Sequence, residues 1–116
     1  MTRALLLQVQ TVAALAATVL FLLNGASSIR AADPVVIEIR GFAYLPENPK
    51  INPGDVVIWI NRDIVPHTVT AEDGNWDSGS IEAGGEWRMT VGQDTTGSYF
   101  CRFHPSMTGS LAIGAG

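Results

Sequence analysis

The chain has 116 residues, a single cysteine and a formal net charge of −4, so it has room for one domain and cannot form an internal disulfide. From Asp33 onward, five basic residues stand against eleven acidic ones, which gives a net charge of −6. This acidity argues against nucleic acid and against an anionic membrane surface as partners.

The first segment of the chain has the layout of a secretory signal peptide. After a short, weakly basic start, residues 4–23 are almost wholly apolar, and small residues follow at 25–28. We predict a signal peptide over residues 1–32, cleaved somewhere after Ser28 to Ala32, and a single domain over residues 33–116. An uncleaved membrane anchor is the alternative, since about 20 apolar residues can span a bilayer. The small residues favour cleavage, and hence an exported, periplasmic protein without stable membrane association.

Beyond this leader, apolar residues recur with a period of two, which is typical of strands. Val35–Arg40 alternates and predicts a half-buried strand, whereas Val56–Ile60 is apolar on both faces and predicts a central strand. Between them, residues 52–55 (Asn-Pro-Gly-Asp) predict a turn, because proline and glycine occupy its two central positions. A loop then leads into a short predicted strand, His67–Ala71.

The second half of the domain continues in short segments. Residues 72–79 are polar and turn-rich, and Glu86–Val91 alternates as a further half-buried strand. Tyr99–Cys101 and Leu111–Ile113 predict two more strands, with a loop over residues 101–107. The domain has no stretch of sustained helical periodicity. Short strands with turns about every 8–12 residues predict an all-β fold, a sandwich or a barrel.

Four residues of the domain can form one metal site. Cys101, His104 and Met107 lie close together in the chain, and His67 follows the predicted central strand. Two imidazoles, a thiolate and a distant thioether are the ligand set of a blue-copper electron-transfer site. Taken singly, each residue has an ordinary explanation other than a ligand role, since a lone cysteine or methionine usually packs in the apolar core. Together they predict one bound copper ion per chain.

This ligand set suits one-electron chemistry. Copper(II) prefers tetragonal nitrogen and oxygen ligands, whereas copper(I) prefers sulfur and low coordination. A trigonal His–Cys–His site with a weak axial methionine serves both states, so little has to move when the electron arrives. Three of the ligands can come from one tight loop between two strands, and His67 can reach them from an adjacent strand.

Other chemistries use fewer of these residues. Structural zinc normally takes four Cys or His ligands, and this domain offers three. Nucleophilic catalysis by Cys101 with a histidine base would leave Met107 and the second histidine without a role. We therefore predict an electron carrier rather than an enzyme, with a copper-binding or copper-delivery protein as the alternative.

Two motifs in the domain resemble those of the amicyanin branch of the plastocyanin-like cupredoxins. One is Asn-Arg-Asp-Ile-Val-Pro-His over residues 61–67, and the other is Cys-x-x-His-x-x-Met over residues 101–107. The two-residue gap before the methionine is characteristic of that branch. Phe-x-Tyr-x-Pro over residues 42–46 adds to the resemblance, which covers about residues 35–113. The resemblance implies a Greek-key β-sandwich and periplasmic transfer of single electrons.

The resemblance also implies a role for each site residue. Carried over by position, His67, Cys101 and His104 are the strong copper ligands, and Met107 is the axial one. Three further residues are expected to contact the ligands rather than the metal: Thr68, Asn61 and Pro105. The backbone N–H of Thr68 is placed to donate to the thiolate, whereas Pro105 has no N–H to donate.

A docking patch is expected around His104, which should expose one edge of its ring. The docking patch consists of four apolar residues: Phe103, Pro105, Pro66 and Ile64. Such a surface permits brief contact with a redox partner, because weak electron-transfer complexes are small. We expect a monomer whose partners are redox proteins, such as a dehydrogenase or a cytochrome.

Overall fold

Short strands form the regular secondary structure of residues 32–115, which are the residues that the computed structural model describes. In chain order they are β1 (Val35–Ile39), β2 (Tyr44–Leu45), β3 (Lys50–Ile51), β4 (Val56–Asn61), β5 (Thr70–Ala71), β6 (Glu86–Thr90), β7 (Ser98–Cys101), β8 (His104–Ser110) and β9 (Ala112–Ile113). The predicted all-β class is confirmed. The same residues contain no helix long and apolar enough to cross a membrane. The signal peptide predicted over residues 1–32 lies, apart from Ala32, outside the described residues.

One sheet has four strands in the order β2-β1-β4-β6. β4 runs parallel to β1 and antiparallel to β6, so it is central, as its two apolar faces predict. Val57 and Trp59 of β4 are fully buried. The turn predicted at residues 52–55 precedes β4, and Gly54 in it has a φ of 95°, which glycine adopts without strain.

The remaining strands form a sheet in the order β5-β7-β8 and a parallel pair, β3 with β9. β7 and β8 form a hairpin whose register places Cys101 opposite His104. The loop predicted over residues 101–107 is therefore too long, because only Arg102 and Phe103 lie between the two strands. The sequence pattern does not reveal β8, since Met107 is its only buried residue and no apolar alternation accompanies it.

The strand predicted over His67–Ala71 is shorter in the structure, because β5 covers only its last two residues. His67 forms an isolated bridge with Ile81 instead. The His67 N–H donates to the Ile81 carbonyl at 3.1 Å, and the Ile81 N–H donates to the His67 carbonyl at 2.7 Å. This pair of hydrogen bonds fixes the His67 backbone outside any sheet.

One core joins the two larger sheets. It combines residues of β1 and β4 with residues of β7 and β8, and Cys101 is a member of it. The fully buried Trp59 ring meets the Tyr99 ring edge-on, at 5.6 Å between ring centroids. Gly109 makes room for Tyr99, because a Cβ at this position would lie 2.6 Å from the tyrosine ring. Cys101 is thus held by a closely packed interior rather than by a surface loop.

Candidate metal centre

Three of the predicted ligand atoms converge. Nδ1 of His67 and Nδ1 of His104 each lie 3.7 Å from Sγ of Cys101. The three atoms lie within 4.8 Å of one another, and no other group of His, Cys, Asp and Glu in residues 32–115 could hold a metal ion in this way. His67 and Cys101 are fully buried, whereas His104 is partly exposed.

Asp63 fixes the orientation of the His67 ring. Its Oδ2 lies 2.8 Å from Nε2 of His67, on the side of the ring away from Cys101. An ionised carboxylate can only accept hydrogen bonds, so the ring proton sits on Nε2 and the Nδ1 lone pair faces the thiol. This is the arrangement in which a carboxylate orients a metal-binding imidazole.

Asp63 also binds the turn between β1 and β2. Its Oδ1 accepts the N–H of Gly41 at 2.7 Å, and its Oδ2 accepts the N–H of Phe42 at 3.0 Å. Burial by itself would raise the pKa of Asp63, but the N–H groups of Phe42 and Gly41 and the His67 ring outweigh it and hold this pKa below its ordinary value. The carboxylate is therefore ionised at neutral pH and joins the turn to a predicted ligand.

Thr68 organises the surroundings of the Cys101 sulfur. Its backbone N–H points at Sγ, at 3.3 Å from N to S, which is the donor expected from the sequence. The Thr68 carbonyl accepts the hydroxyl of Tyr44 at 2.5 Å, and the Thr68 hydroxyl accepts the N–H of Arg102 at 2.8 Å. Because its backbone carbonyl and its side-chain hydroxyl are both hydrogen-bonded, Thr68 keeps a fixed donor on the thiol.

Asn61 stabilises the loop that leads to His67. It is fully buried, and its side-chain amide donates to the carbonyls of Val65 at 2.8 Å and Ile81 at 2.9 Å. Its Oδ1 accepts the N–H of Asp63 at 3.0 Å. Asn61 therefore acts on the site indirectly, because it positions the carboxylate that orients His67.

The β7–β8 hairpin carries the remaining predicted residues. Met107 is 5% exposed and belongs to the same core cluster as Cys101. The four residues of the docking patch are all exposed: Phe103, Pro105, Pro66 and Ile64. Two other large apolar side chains on the turn and strand after β1, Phe42 and Leu45, are also about half exposed.

Comparison with known protein families identifies the fold. The family model of the cupredoxin-like domain matches residues 12–113, which is most of the chain. The chain belongs to the cupredoxin-like family.

Several relatives of this cupredoxin are amicyanins. Amicyanin from Paracoccus versutus is 29% identical over 89 residues, which cover 71% of this chain and 66% of that protein, just under two thirds of its length. The solved structure of the Cu(I) form of an amicyanin variant matches with a TM-score of 0.64 at 26% identity, over 73% of this chain and 87% of that one. The Greek-key β-sandwich predicted from the sequence is thereby confirmed. A copper-containing nitrite reductase from Thermus scotoductus SA-01 has a TM-score of 0.63 at 22% identity, over 78% of this chain and 24% of that one, and this likeness concerns the fold alone.

Copper is the cofactor of amicyanin-like cupredoxins, and the donor set of this chain fits it. Metal bonds of about 2.0 Å to nitrogen and 2.3 Å to sulfur, at angles between tetrahedral and trigonal, separate N from S by about 3.5–3.7 Å. The observed 3.7 Å to each histidine nitrogen agrees with that separation. Two imidazoles beside one thiolate also match the preference of copper in electron-transfer sites. The predicted cofactor is confirmed for the family, and the role of each side chain as a ligand stays a prediction.

Two residues that contact the predicted ligands are absent from the prediction. Asp63 could have been found, because it lies four residues before His67 in the same loop and metal-binding histidines commonly donate to carboxylates. Phe42 gives no such signal. Its ring meets the rings of His67 and His104 only because the chain folds back across more than twenty residues.

Proposed function

We propose that this protein is a periplasmic one-electron carrier with a mononuclear type 1 copper site. His67, Cys101 and His104 are the strong ligands in this proposal, and Met107 is the weak axial one. The observation that carries the proposal is the convergence of two imidazole nitrogens on one buried sulfur, each at 3.7 Å. A copper ion bound there would supply the chemistry by alternating between Cu(I) and Cu(II).

The residues around the ligands have separate tasks. Asp63 keeps the proton of His67 on Nε2, so that Nδ1 is free to bind a metal. The Thr68 N–H donates to the sulfur and so places one fixed hydrogen bond on the atom that would bind the metal. Full burial of Cys101 keeps water and oxidants away from that sulfur. The chain thus holds its ligands in one arrangement before and after the electron arrives.

Electron exchange is proposed to occur at the exposed side of His104. Ile64 is 94% exposed and Phe103 is 49% exposed, so the docking patch offers apolar contact area next to a partly exposed ligand. We infer redox-protein partners, a dehydrogenase or a cytochrome, which a monomeric carrier meets in small and brief complexes. The signal-peptide pattern of residues 1–32 and the likeness to amicyanin support an exported protein.

The visible spectrum of the purified protein after addition of copper(II) tests this proposal. One equivalent should give an intense blue colour from thiolate-to-copper charge transfer, and Cys101→Ser should remove it. A colourless wild-type complex would refute the proposed site. A blue complex without a reversible redox couple, which gives its copper readily to a chelator, would favour copper delivery instead.

A further inference from the structure

Phe42 contacts both predicted histidine ligands. Its ring centroid lies 5.3 Å from that of His67 and 4.8 Å from that of His104, and the interplanar angles are 88° and 89°. Edge-to-face contacts of this kind stabilise aromatic pairs beyond the burial of their area. The ring is nevertheless 53% exposed, so one part of it faces solvent while another covers the two imidazoles.

The backbone of Phe42 is held in a conformation that a phenylalanine rarely adopts. Its φ is 58°, and in the described part of the chain it is the one non-glycine residue with positive φ. Asn, Asp or Gly would occupy this region at lower cost. Strain kept at one residue, beside a predicted metal site, points to a function of its side chain.

Asp63 supplies the constraint that holds this conformation. The Oδ2 atom that accepts the Phe42 N–H at 3.0 Å is the same atom that lies 2.8 Å from Nε2 of His67. The turn is closed further by two backbone hydrogen bonds between Arg40 and Ala43, at 2.9 and 3.2 Å. One carboxylate therefore fixes the buried imidazole and the ring that covers both imidazoles.

We propose that Phe42 is a positioning residue, which restrains the His104 ring and slows the loss of copper from the site. His67 has its own restraint in Asp63. Within residues 32–115, no carboxylate is hydrogen-bonded to His104 in that way; its ring forms aromatic pairs with Phe42 and His67 and lies beside the Cys101 sulfur. The copper part of this inference rests on the proposed function. The restraint on the imidazole belongs to the protein alone and is tested without metal.

Phe103 is a matched control for Phe42. It is the same residue type, it is 49% exposed against 53% for Phe42, and it is the residue directly before His104. Among the described residues its ring forms no aromatic pair with either histidine ring, in contrast to Phe42. If exposed apolar bulk near His104 were all that mattered, Phe42→Leu and Phe103→Leu would have the same effect.

The first experiment measures the metal-free protein at one fixed pH. Exchange broadening of the His104 ring signals in NMR relaxation dispersion should increase in Phe42→Leu, stay unchanged in Phe103→Leu and return to the wild-type level in Phe42→Tyr. The second experiment loads the same proteins with copper(I) and follows transfer to a chelator. Phe42→Leu should release copper about tenfold faster, because it loses two edge-to-face contacts, while Phe103→Leu and Phe42→Tyr stay close to wild type.

Phe42→Gly separates positioning from general stability. Glycine adopts the observed φ without strain and keeps the N–H that Asp63 binds. The melting temperature of the Phe42→Gly variant should therefore change little, while its His104 ring becomes mobile and its copper(I) leaves faster. Equal broadening or equal release rates in the Phe42 and Phe103 variants would overturn the proposal. A wild-type protein that forms no blue centre would refute the proposed function, and the metal-free measurement would still decide the role of Phe42.

Discussion

The two histidines of the site belong to two differently built regions of the molecule. The inner region is the loop of residues 61–67, in which His67 is fully buried, bridged to Ile81 through its backbone and hydrogen-bonded to Asp63 through its ring. The outer region is the β7–β8 hairpin, in which His104 begins a strand and is partly exposed. Two side chains of the same type thus receive different degrees of restraint.

This difference indicates how one site can be both rigid and accessible. The inner region has a buried asparagine, a carboxylate and a backbone bridge, all of which act on the position of His67. In the outer region, strand register determines the position of His104, since Cys101 and His104 are paired across the hairpin. In the proposed carrier, rigid placement of His67 would leave His104 free to lie at the surface, where an electron could reach it.

Removal of each histidine side chain is the strongest test of this comparison. In the metal-free protein, His67→Ala should lower the free energy of unfolding by about 3 kcal/mol, because it opens a cavity and leaves the Asp63 carboxylate without its ring partner. His104→Ala should lower it by less than about 1 kcal/mol, as is usual for a substitution near the surface. Urea unfolding of both variants measures the difference. Similar losses would show that the two regions are equally ordered.

Asp63→Asn should have the next largest effect. The carboxylate accepts hydrogen bonds from two backbone N–H groups and lies against one ring nitrogen, whereas an amide has a single acceptor oxygen. We expect a loss of about 2 kcal/mol in the free energy of unfolding. Asp94→Asn, at an exposed position away from the site in sequence, is the control and should change stability little. If both variants lost the same amount, Asp63 would not organise the inner region.

Asp77 makes the outer region sensitive to acid. It accepts hydrogen bonds from Thr70 Oγ1 at 2.9 Å and the Gly79 N–H at 3.0 Å, and it forms an ion pair with Arg102 in the hairpin turn. Burial acts to raise the pKa of Asp77, but the Gly79 and Thr70 hydrogen bonds and the Arg102 charge hold it below its ordinary value. Its stabilising contribution is therefore complete above the unfolded pKa of about 3.9 and is lost as pH falls through the lower folded value.

Asp77→Asn should accordingly lower the free energy of unfolding by about 1 kcal/mol at neutral pH. The value is modest because the Arg102 side chain is 59% exposed, so solvent screens the ion pair. The stability difference from wild type should shrink as the pH is lowered below about 4. Urea midpoints measured from pH 7 down to the acid limit of folding give the two curves. Curves that stay parallel throughout would contradict a depressed pKa at Asp77.

The sequence predicts the inner and outer regions unequally. His67, Cys101 and His104 are predicted from residue type and spacing, because few chemistries use such a set, and the structure brings their ligand atoms together. The strand β8 is not predicted, since its exposed residues follow no period. The contact between Phe42 and the histidines is not predicted either, because it depends on how a turn after β1 meets a loop after β4. Local chemistry can be read from the sequence, whereas contacts set by the crossing of distant loops cannot.

The smallest expected effect concerns the hydrogen bonds to the Cys101 sulfur. Thr68, directly after the inner region, supplies one donor through its N–H at 3.3 Å, whereas Pro105, directly after His104 in the outer region, has no N–H to offer. A donor to the thiolate stabilises the more electron-rich sulfur of the reduced site and so raises the reduction potential. If the proposed copper site is correct, Pro105→Ala should raise the potential by about 20–60 mV, the equivalent of one weak hydrogen bond.

Pro66→Ala is the matched control for Pro105→Ala. Pro66 is also exposed and adjacent to a histidine but precedes it, so its variant should keep the wild-type potential. Voltammetry of the three proteins at one pH measures the shift, and an unchanged or lower potential in Pro105→Ala would show that the difference in donors between the two regions does not tune the copper.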